Sequence, residues 1–260
     1  MKIYCINLDR HPHRMERMRR CLQGLKFERI PAVDGKTLCG LERRDASRPM
    51  GAGNITRYEL GCILSHRRAW SRFLADGGDY SCLLEDDVVL SPDFSKFISD
   101  ASWIPSRCDV VKIETYCEKV MLSRTGVGAL DRVLSELRSP HLGTGAYILS
   151  RGGAEMMLAE TANPVLPLDL AIFGSDFLER HGPLFQLSPA LCVQARHIQA
   201  GIAFEEMQSS IQPKPLKLPK TLRQRIRLEV CRPFRQLHAA AGQIICQCRA
   251  NARLRAVPYA

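Results

Sequence analysis

Glu85-Asp86-Asp87 places three carboxylates in succession, directly after the apolar run Tyr80-Ser81-Cys82-Leu83-Leu84. A strand that ends in three acids puts negative charge at the edge of a core. Such repulsion raises carboxylate pKa values and destabilises the fold unless a cation offsets it. A hard divalent ion with oxygen ligands is the obvious counter-charge, and an ion held that way usually holds a phosphate too. In an extended chain Glu85 and Asp87 face one way and Asp86 the other. One pair can then meet a metal while the middle acid reaches a sugar hydroxyl. The alternative is a solvated turn after a strand.

The surrounding pattern has to bring these acids to a cleft. Strands are expected over 3–8, 27–33, 81–84, 110–114, 142–149 and 187–193. Helices are expected over 13–25, 92–99, 154–160 and 169–180, from apolar recurrence at three and four. Thr56-Arg57-Tyr58-Glu59 reads as a capping box that opens a further helix, and Asp76-Gly77-Gly78 closes it. The polar stretch 38–54 reads as a loop. Strands alternating with helices predict an α/β fold with a mostly parallel sheet flanked by helices. In such a sheet, ligands sit outside the carboxyl ends of the strands. Asn7 to Arg10, Asp34-Gly35, Glu85 to Asp87 and Glu114 all follow predicted strands and are expected to converge there. Lys112 and Glu114 share a strand face and read as a structural ion pair, the alternative being that Glu114 helps to position the donor.

Charge divides the 260-residue chain in two. From Lys214 onward there are eleven Lys/Arg and one acid, so the net charge of +10 belongs to the tail and residues 1–213 are balanced. Pro213-Lys214-Pro215-Leu216-Lys217-Leu218-Pro219 reads as a linker. The expected organisation is a domain over 1–212 and a basic C-terminal extension over 213–260. Lys and Arg on a partly amphipathic tail suit an anionic membrane surface. Only Phe234 and Tyr259 interleave with the arginines, so base stacking on nucleic acid has little support. No run reaches the ~20 apolar residues of a membrane span. The opening Met1 to Leu8 reads as a strand and not a secretory signal. The eleven cysteines are therefore expected as reduced thiols in a cytoplasm. The corresponding location is cytoplasmic, peripheral on the inner face of the membrane. Cys246-Gln247-Cys248 lacks a second pair at zinc-finger spacing.

Six segments in order resemble glycosyltransferase family 25, which contains bacterial lipopolysaccharide and lipooligosaccharide glycosyltransferases and the collagen galactosyltransferases. They are Ile6-Asn7-Leu8-Asp9-Arg10 with Arg14; Pro31-Ala32-Val33-Asp34-Gly35; Glu59-Leu60-Gly61-Cys62-Ile63-Leu64-Ser65-His66 with Trp70; Leu84 to Val88; Gly143-Thr144-Gly145-Ala146-Tyr147-Ile148-Leu149-Ser150; and Leu166-Pro167-Leu168-Asp169. Ser209-Ser210-Ile211 completes the set. The resemblance covers about residues 1–211. It implies a GT-A type, Rossmann-like fold, a UDP-sugar donor (UDP-galactose or UDP-glucose), a divalent ion such as manganese, a glycan or glycolipid acceptor, and inversion at the anomeric carbon. Residues 36–54 and the tail depart from the family pattern.

On this reading Asp87 and Glu85 ligate the metal. Asp86 meets the ribose or the donor sugar. Asn7, Arg10 and Arg14 meet the uracil, ribose or phosphate, and Asp34 takes ribose hydroxyls. Thr144 and Gly145 line the sugar site, where glycine permits close backbone approach. His66 faces the crevice as a catalytic candidate. Asp169 and Asp176 are the candidate general bases that inversion requires. A binding protein that keeps the fold without catalysis is the competing reading.

Overall fold

The computed structural model describes residues 1–38, 55–197 and 251–260. Almost all of the loop expected over 38–54, the motif Ser209-Ser210-Ile211 and the basic stretch 214–250 lie outside them.

Strand β1 (Lys2–Asn7) lies between β2 (Phe27–Pro31) and β3 (Tyr80–Glu85), parallel to both. Helix α1 (Pro12–Cys21) joins β1 to β2, and α2 (Arg57–Asp76) precedes β3. Side chains on β1 alternate in destination, as period two requires. Ile3 and Cys5 pack with Met15, Met18 and Leu22 from α1 and its C-terminal end, while Tyr4 and Ile6 pack with Ile63, Trp70 and Phe73 of α2. The sheet therefore has a buried core on each face.

The remaining strands make the sheet mixed. They are β4 (Val88–Leu90), β5 (Val110–Lys112), β6 (Glu114–Thr115), β7 (Lys119–Ala129), β8 (Arg132–Leu137), β9 (Ala146–Ser150), β10 (Phe185–Ser188), β11 (Cys192–Gln194) and β12 (Ala252–Ala256). The order of the large sheet is β12-β7-β8-β10-β5-β9-β3-β1-β2. The expected parallel pairing holds at β2–β1–β3 and at β5–β10; β9 enters antiparallel between β3 and β5, and the pairs on the far side are antiparallel. A second, three-stranded sheet, β4-β11-β6, stands where the chain leaves β3.

Several expectations change. The strands expected over 110–114 and 187–193 are each divided between the two sheets, as β5 and β6 and as β10 and β11. The β7–β8 hairpin had no counterpart in the sequence reading. The helix expected over 169–180 is two helices, α5 (Leu168–Phe173) and α6 (Ser175–His181), interrupted at Gly174, whose backbone is extended. The C-terminal extension expected over 213–260 returns to the domain in its last ten residues: β12 pairs with β7, the Ala190 amide donates to Pro258 O, and the Thr115 hydroxyl donates to Val257 O. The remaining helices are α3 (Phe94–Ser99) and α4 (Arg151–Glu160). No described helix is long and apolar enough to cross a membrane, and the seven described cysteines are free thiols.

Helix α2 opens as expected. The Thr56 hydroxyl accepts from the Glu59 amide at 3.2 Å, and the Glu59 carboxylate accepts from the Thr56 amide at 2.7 Å. Its glycine serves packing. A Cβ on Gly61 would lie 2.7 Å from Val33 O, and Ser65 Oγ accepts from the Val33 amide at 2.8 Å. Gly61 and Ser65 thus seat the segment that carries Asp34 against α2. Gly61→Ala must push that segment away, because its contact is backbone and cannot rotate aside. We expect a loss of about 1–3 kcal/mol, measurable as a lower urea midpoint at unchanged slope.

Candidate active site

The parallel strands end on one side, and a cleft of about 290 Å³ opens there. Arg10, Arg14, Asp34, His66, Glu85, Asp86, Asp87, Thr144 and Asp169 all line it. Of the residues expected to converge from strand ends, Leu8, Arg10, Asp34, Gly35 and Glu85 to Asp87 line it, and Asn7, Asp9 and Glu114 do not.

Each acid of the triplet has a different environment. Glu85 is on the α2 side of the sheet, in phase with Leu83. Its Oε1 accepts from the Thr144 hydroxyl at 2.7 Å and lies 3.2 Å from His66 Nε2. Burial pushes the Glu85 carboxyl up, but His66 and Thr144 together hold it below its usual value. Asp86 turns to the α1 side, where it accepts from Asn7 Nδ2 at 2.6 Å and Arg14 at 3.1 Å. Asp87 lies in the turn after β3. Its Oδ1 is buried and has no hydrogen-bond partner among the described residues. Burial first, then the nearby Glu85 and Asp86 charges, push its carboxyl up to about 8.

A second tier of residues fixes the first. Arg29 Nε donates to Asn7 Oδ1 at 2.9 Å, which orients the amide toward Asp86. Arg17 donates to the carbonyls of Asp86 and Val88 at 2.8 and 2.9 Å and so clamps the turn backbone. On the other side a chain runs from Trp70 Nε1 to the Tyr147 hydroxyl at 2.9 Å, and from there to His66 Nδ1 at 2.7 Å. Trp70 can only donate. The one complete pattern has Tyr147 donating to Nδ1 and His66 Nε2–H donating to Glu85. Lys112 and Glu114 form the buried pair expected, 3.4 Å apart, and both hold the glycine loop: Lys112 donates to Gly143 O, and Glu114 accepts from the Gly145 amide at 2.9 Å. Burial, with Glu85 adding, pushes Glu114 up to about 7, against the pull of Lys112.

Several expected roles change with this geometry. Asn7 is buried and does not line the cleft, and its amide donates to Asp86. Arg10 and Asp34 do line the cleft but form an ion pair with each other. Burial raises Asp34, yet Arg10 and the Lys36 amide outweigh it and keep the carboxyl low. His66 has both ring nitrogens engaged, Nδ1 with the Tyr147 hydroxyl and Nε2 with Glu85. Gly145 does not line the cleft. A Cβ there would lie 2.7 Å from Glu114 Oε1, so its small size serves packing. Asp169, in the first turn of α5, faces the cleft, with Oδ1 accepting from the Leu170 amide at 2.9 Å. Asp176 is exposed on α6 and does not line it, because Gly174 breaks the helix between the two acids.

The sequence reading did not single out Tyr116, Gln194 or Arg196, which form the facing wall. Arg196 donates to the Tyr116 hydroxyl at 3.1 Å, and the Tyr116 ring stacks on His197 at 4.3 Å. Nothing local marks them; β11 brings Gln194 and Arg196 there by pairing with β4 and β6.

The donor set fits a hard divalent ion. Asp87 offers a buried, unpartnered carboxylate oxygen, and both bonds to Glu85 fall on one oxygen. The repulsion that raises Asp87 is what a cation would relieve.

The sequence profile of glycosyltransferase family 25 (LPS biosynthesis protein) matches residues 1–172, and the chain belongs to that family. It is 37% identical over 154 residues to the lacto-N-neotetraose biosynthesis glycosyltransferase LgtB of Neisseria meningitidis serogroup B, covering 55% of this chain and 56% of that protein. It is 27% identical over 188 residues to the lipooligosaccharide biosynthesis protein lex-1 of Haemophilus influenzae, covering 66% and 62%. The chain thus spans little more than half the length of these curated relatives. Among solved structures, a glycosyltransferase involved in the glycosylation of the major capsid of PBCV-1 aligns over 75% of this chain and 91% of its own, at a TM-score of 0.40 and 11% identity.

The raised Asp87 carboxyl has a sign that can be measured. The unfolded chain releases this proton near 3.8 and the folded chain near 8. Between those values unfolding releases a proton, so metal-free stability falls as pH rises. Asp87→Asn removes that slope. In chelator-treated protein at pH 7 it is expected to stabilise the fold by about 1–3 kcal/mol, with the gain vanishing toward pH 4 in denaturant melts.

Proposed function

We propose that the protein transfers a hexose, galactose or glucose, from a UDP-sugar to a hydroxyl of a lipopolysaccharide or lipooligosaccharide core, with inversion and with a divalent ion. The observation that carries this is the acidic turn: a buried Asp87 oxygen without a partner, beside Glu85, at the strand ends of a family 25 chain. The names of the relatives supply the acceptor class.

Asp87 and Glu85 would hold the ion, manganese or similar, which neutralises the diphosphate leaving group when bound. His66 and Thr144 keep Glu85 ionised and fixed in direction. Arg14 and Asn7 hold Asp86 rigid at the mouth of α1, where a ribose or donor-sugar hydroxyl can reach it. Arg196 stands on the facing wall as a cation for the diphosphate. Asp169 is the candidate base, because it lines the cleft and Asp176 does not. Gly143-Thr144 forms the wall between Glu85 and Tyr116 and borders the sugar site. The acceptor is a lipid-anchored glycan on this reading. The basic stretch 214–250 then serves to meet the anionic inner face of the membrane.

Calorimetric titration of UDP, UDP-galactose and UDP-glucose, with and without manganese, tests the reading. Binding is expected only with metal and is expected to be lost in Asp87→Ala. Because the ion must displace the Asp87 proton, its apparent affinity should rise about tenfold per pH unit from 6 to 8 and then level. No UDP binding under any condition would leave a binding protein that retains the fold.

A further inference from the structure

Cys62, His66 and Glu85 meet on the floor of the cleft. Cys62 and His66 are four residues apart on α2, one turn above the other on a single face. Glu85 reaches them from the end of β3. One ligand atom from each, a thiol sulfur, an imidazole nitrogen and a carboxylate oxygen, lies within 4.8 Å of the other two. All three residues line the cleft.

We propose that this trio is a zinc site, separate from the oxygen-only position at Asp87 but sharing Glu85 with it. Tetrahedral zinc with sulfur, nitrogen and oxygen ligands needs ligand atoms about 3.3–3.6 Å apart. His66 Nε2 and Glu85 Oε1 are already 3.2 Å apart. Cys62 is half-buried and needs a shift of about 1 Å, within reach of a side-chain rotation. The fourth position faces the open cleft and is left to water. A mixed thiolate, imidazole and carboxylate set selects zinc over manganese or magnesium, which favour oxygen alone.

The imidazole is also supported from behind. A ligating imidazole donates its other N–H to a fixed acceptor, and the Tyr147 oxygen lies 2.7 Å from Nδ1, held by Trp70. On binding, the His66 ring proton moves from Nε2 to Nδ1, the Tyr147 hydroxyl turns its own hydrogen away and accepts from Nδ1, and the Cys62 thiol proton leaves to solvent. The net change is one proton released per zinc. Because Glu85 serves both positions, zinc at this site opposes the manganese-dependent binding of UDP. That consequence rests on the function proposed above, whereas the site itself does not.

Cobalt titrated into the reduced, metal-free full chain reads the site directly, since zinc itself is colourless. A thiolate-to-cobalt charge-transfer band with intense four-coordinate visible bands is expected, bleached by added zinc. The bands should vanish in Cys62→Ser and in Cys62→Ala and persist in Asp87→Asn. No charge-transfer band, or one unchanged in both Cys62 variants and so owed to other cysteines, overturns the proposal. In a parallel titration, zinc should weaken manganese-dependent UDP binding by about tenfold in the parent chain. In the Cys62 variants the ratio with and without zinc should fall to about one. If UDP fails to bind with manganese at all, the transferase reading fails while the cobalt spectrum still decides the site.

Discussion

Three adjacent carboxylates at the end of a buried strand set the terms for this fold. Two unit charges about 4 Å apart in a partly shielded site repel by about 4 kcal/mol, and no local rearrangement of a strand end removes that. The structure treats each acid separately. Glu85 is held down by hydrogen bonds from α2 and the glycine loop, and Asp86 is paired with the Arg14 guanidinium and the Asn7 amide. Asp87 Oδ1 has no hydrogen-bond partner among the described residues, and the carboxyl is pushed up to about 8. Neutralising two acids inside the protein and leaving the third without a partner confines the unmet demand for positive charge to one oxygen. An asparagine would make the same turn without the repulsion, so a purely structural turn gives no reason for the acid.

The supports are layered because a long, soft contact would not hold such charges. Asn7 could rotate its amide, but Arg29 fixes it from behind. His66 could present either nitrogen to Glu85, but the Trp70–Tyr147 chain holds Nδ1 and leaves Nε2 to Glu85. Thr144 sits on a glycine loop, which the buried Lys112–Glu114 pair grips through backbone atoms at both ends. Side chains buried on both faces of the sheet thus act on the cleft through one intermediate each. Preorganisation of this kind is what an electrostatic site needs, since groups that must reorient on binding lose much of their effect.

Much of this was legible in the sequence, and its limits have physical causes. The alternation of side chains along a strand foretold that Glu85 and Asp86 would part to opposite faces. The rule that ligands sit at strand carboxyl ends foretold that Arg10 and Asp34 would meet the acids; Thr144 was expected there from the family resemblance instead. Partners across the fold were not legible. Tyr147 and Trp70 stood in recognised motifs, yet the bond between them spans 77 residues and depends on β9 pairing with β3. The β7–β8 hairpin was missed because much of β7 is exposed and carries Gly126 and Gly128, which erase the apolar alternation. Asp169 and Asp176 are seven residues apart, two turns of one helix and so one face. Gly174 alone breaks that inference, and only Asp169 reaches the cleft.

The far wall of the cleft depends on residues distant in sequence. Strand β11 pairs with β4, the strand that leaves the acidic turn, and the Ala195 amide donates to Asp87 O at 2.9 Å. The next residue is Arg196. The backbone that anchors the unpartnered acid and the cation facing the cleft therefore belong to one small sheet and move together. The last residues brace that sheet from behind. Tyr259 donates to Leu90 O at 3.0 Å, and the buried Arg132 bonds Ala190 O and Ala260 O at 3.0 and 2.9 Å. Arg253 and Arg255 lie in β12, so two of the tail's basic residues belong to a strand paired with β7 at the outer edge of the large sheet. Charge alone had assigned that segment to a separate surface. Its backbone pairing instead ties it to the domain, and residues 257–260, which follow it, reach the strands beside the acidic turn.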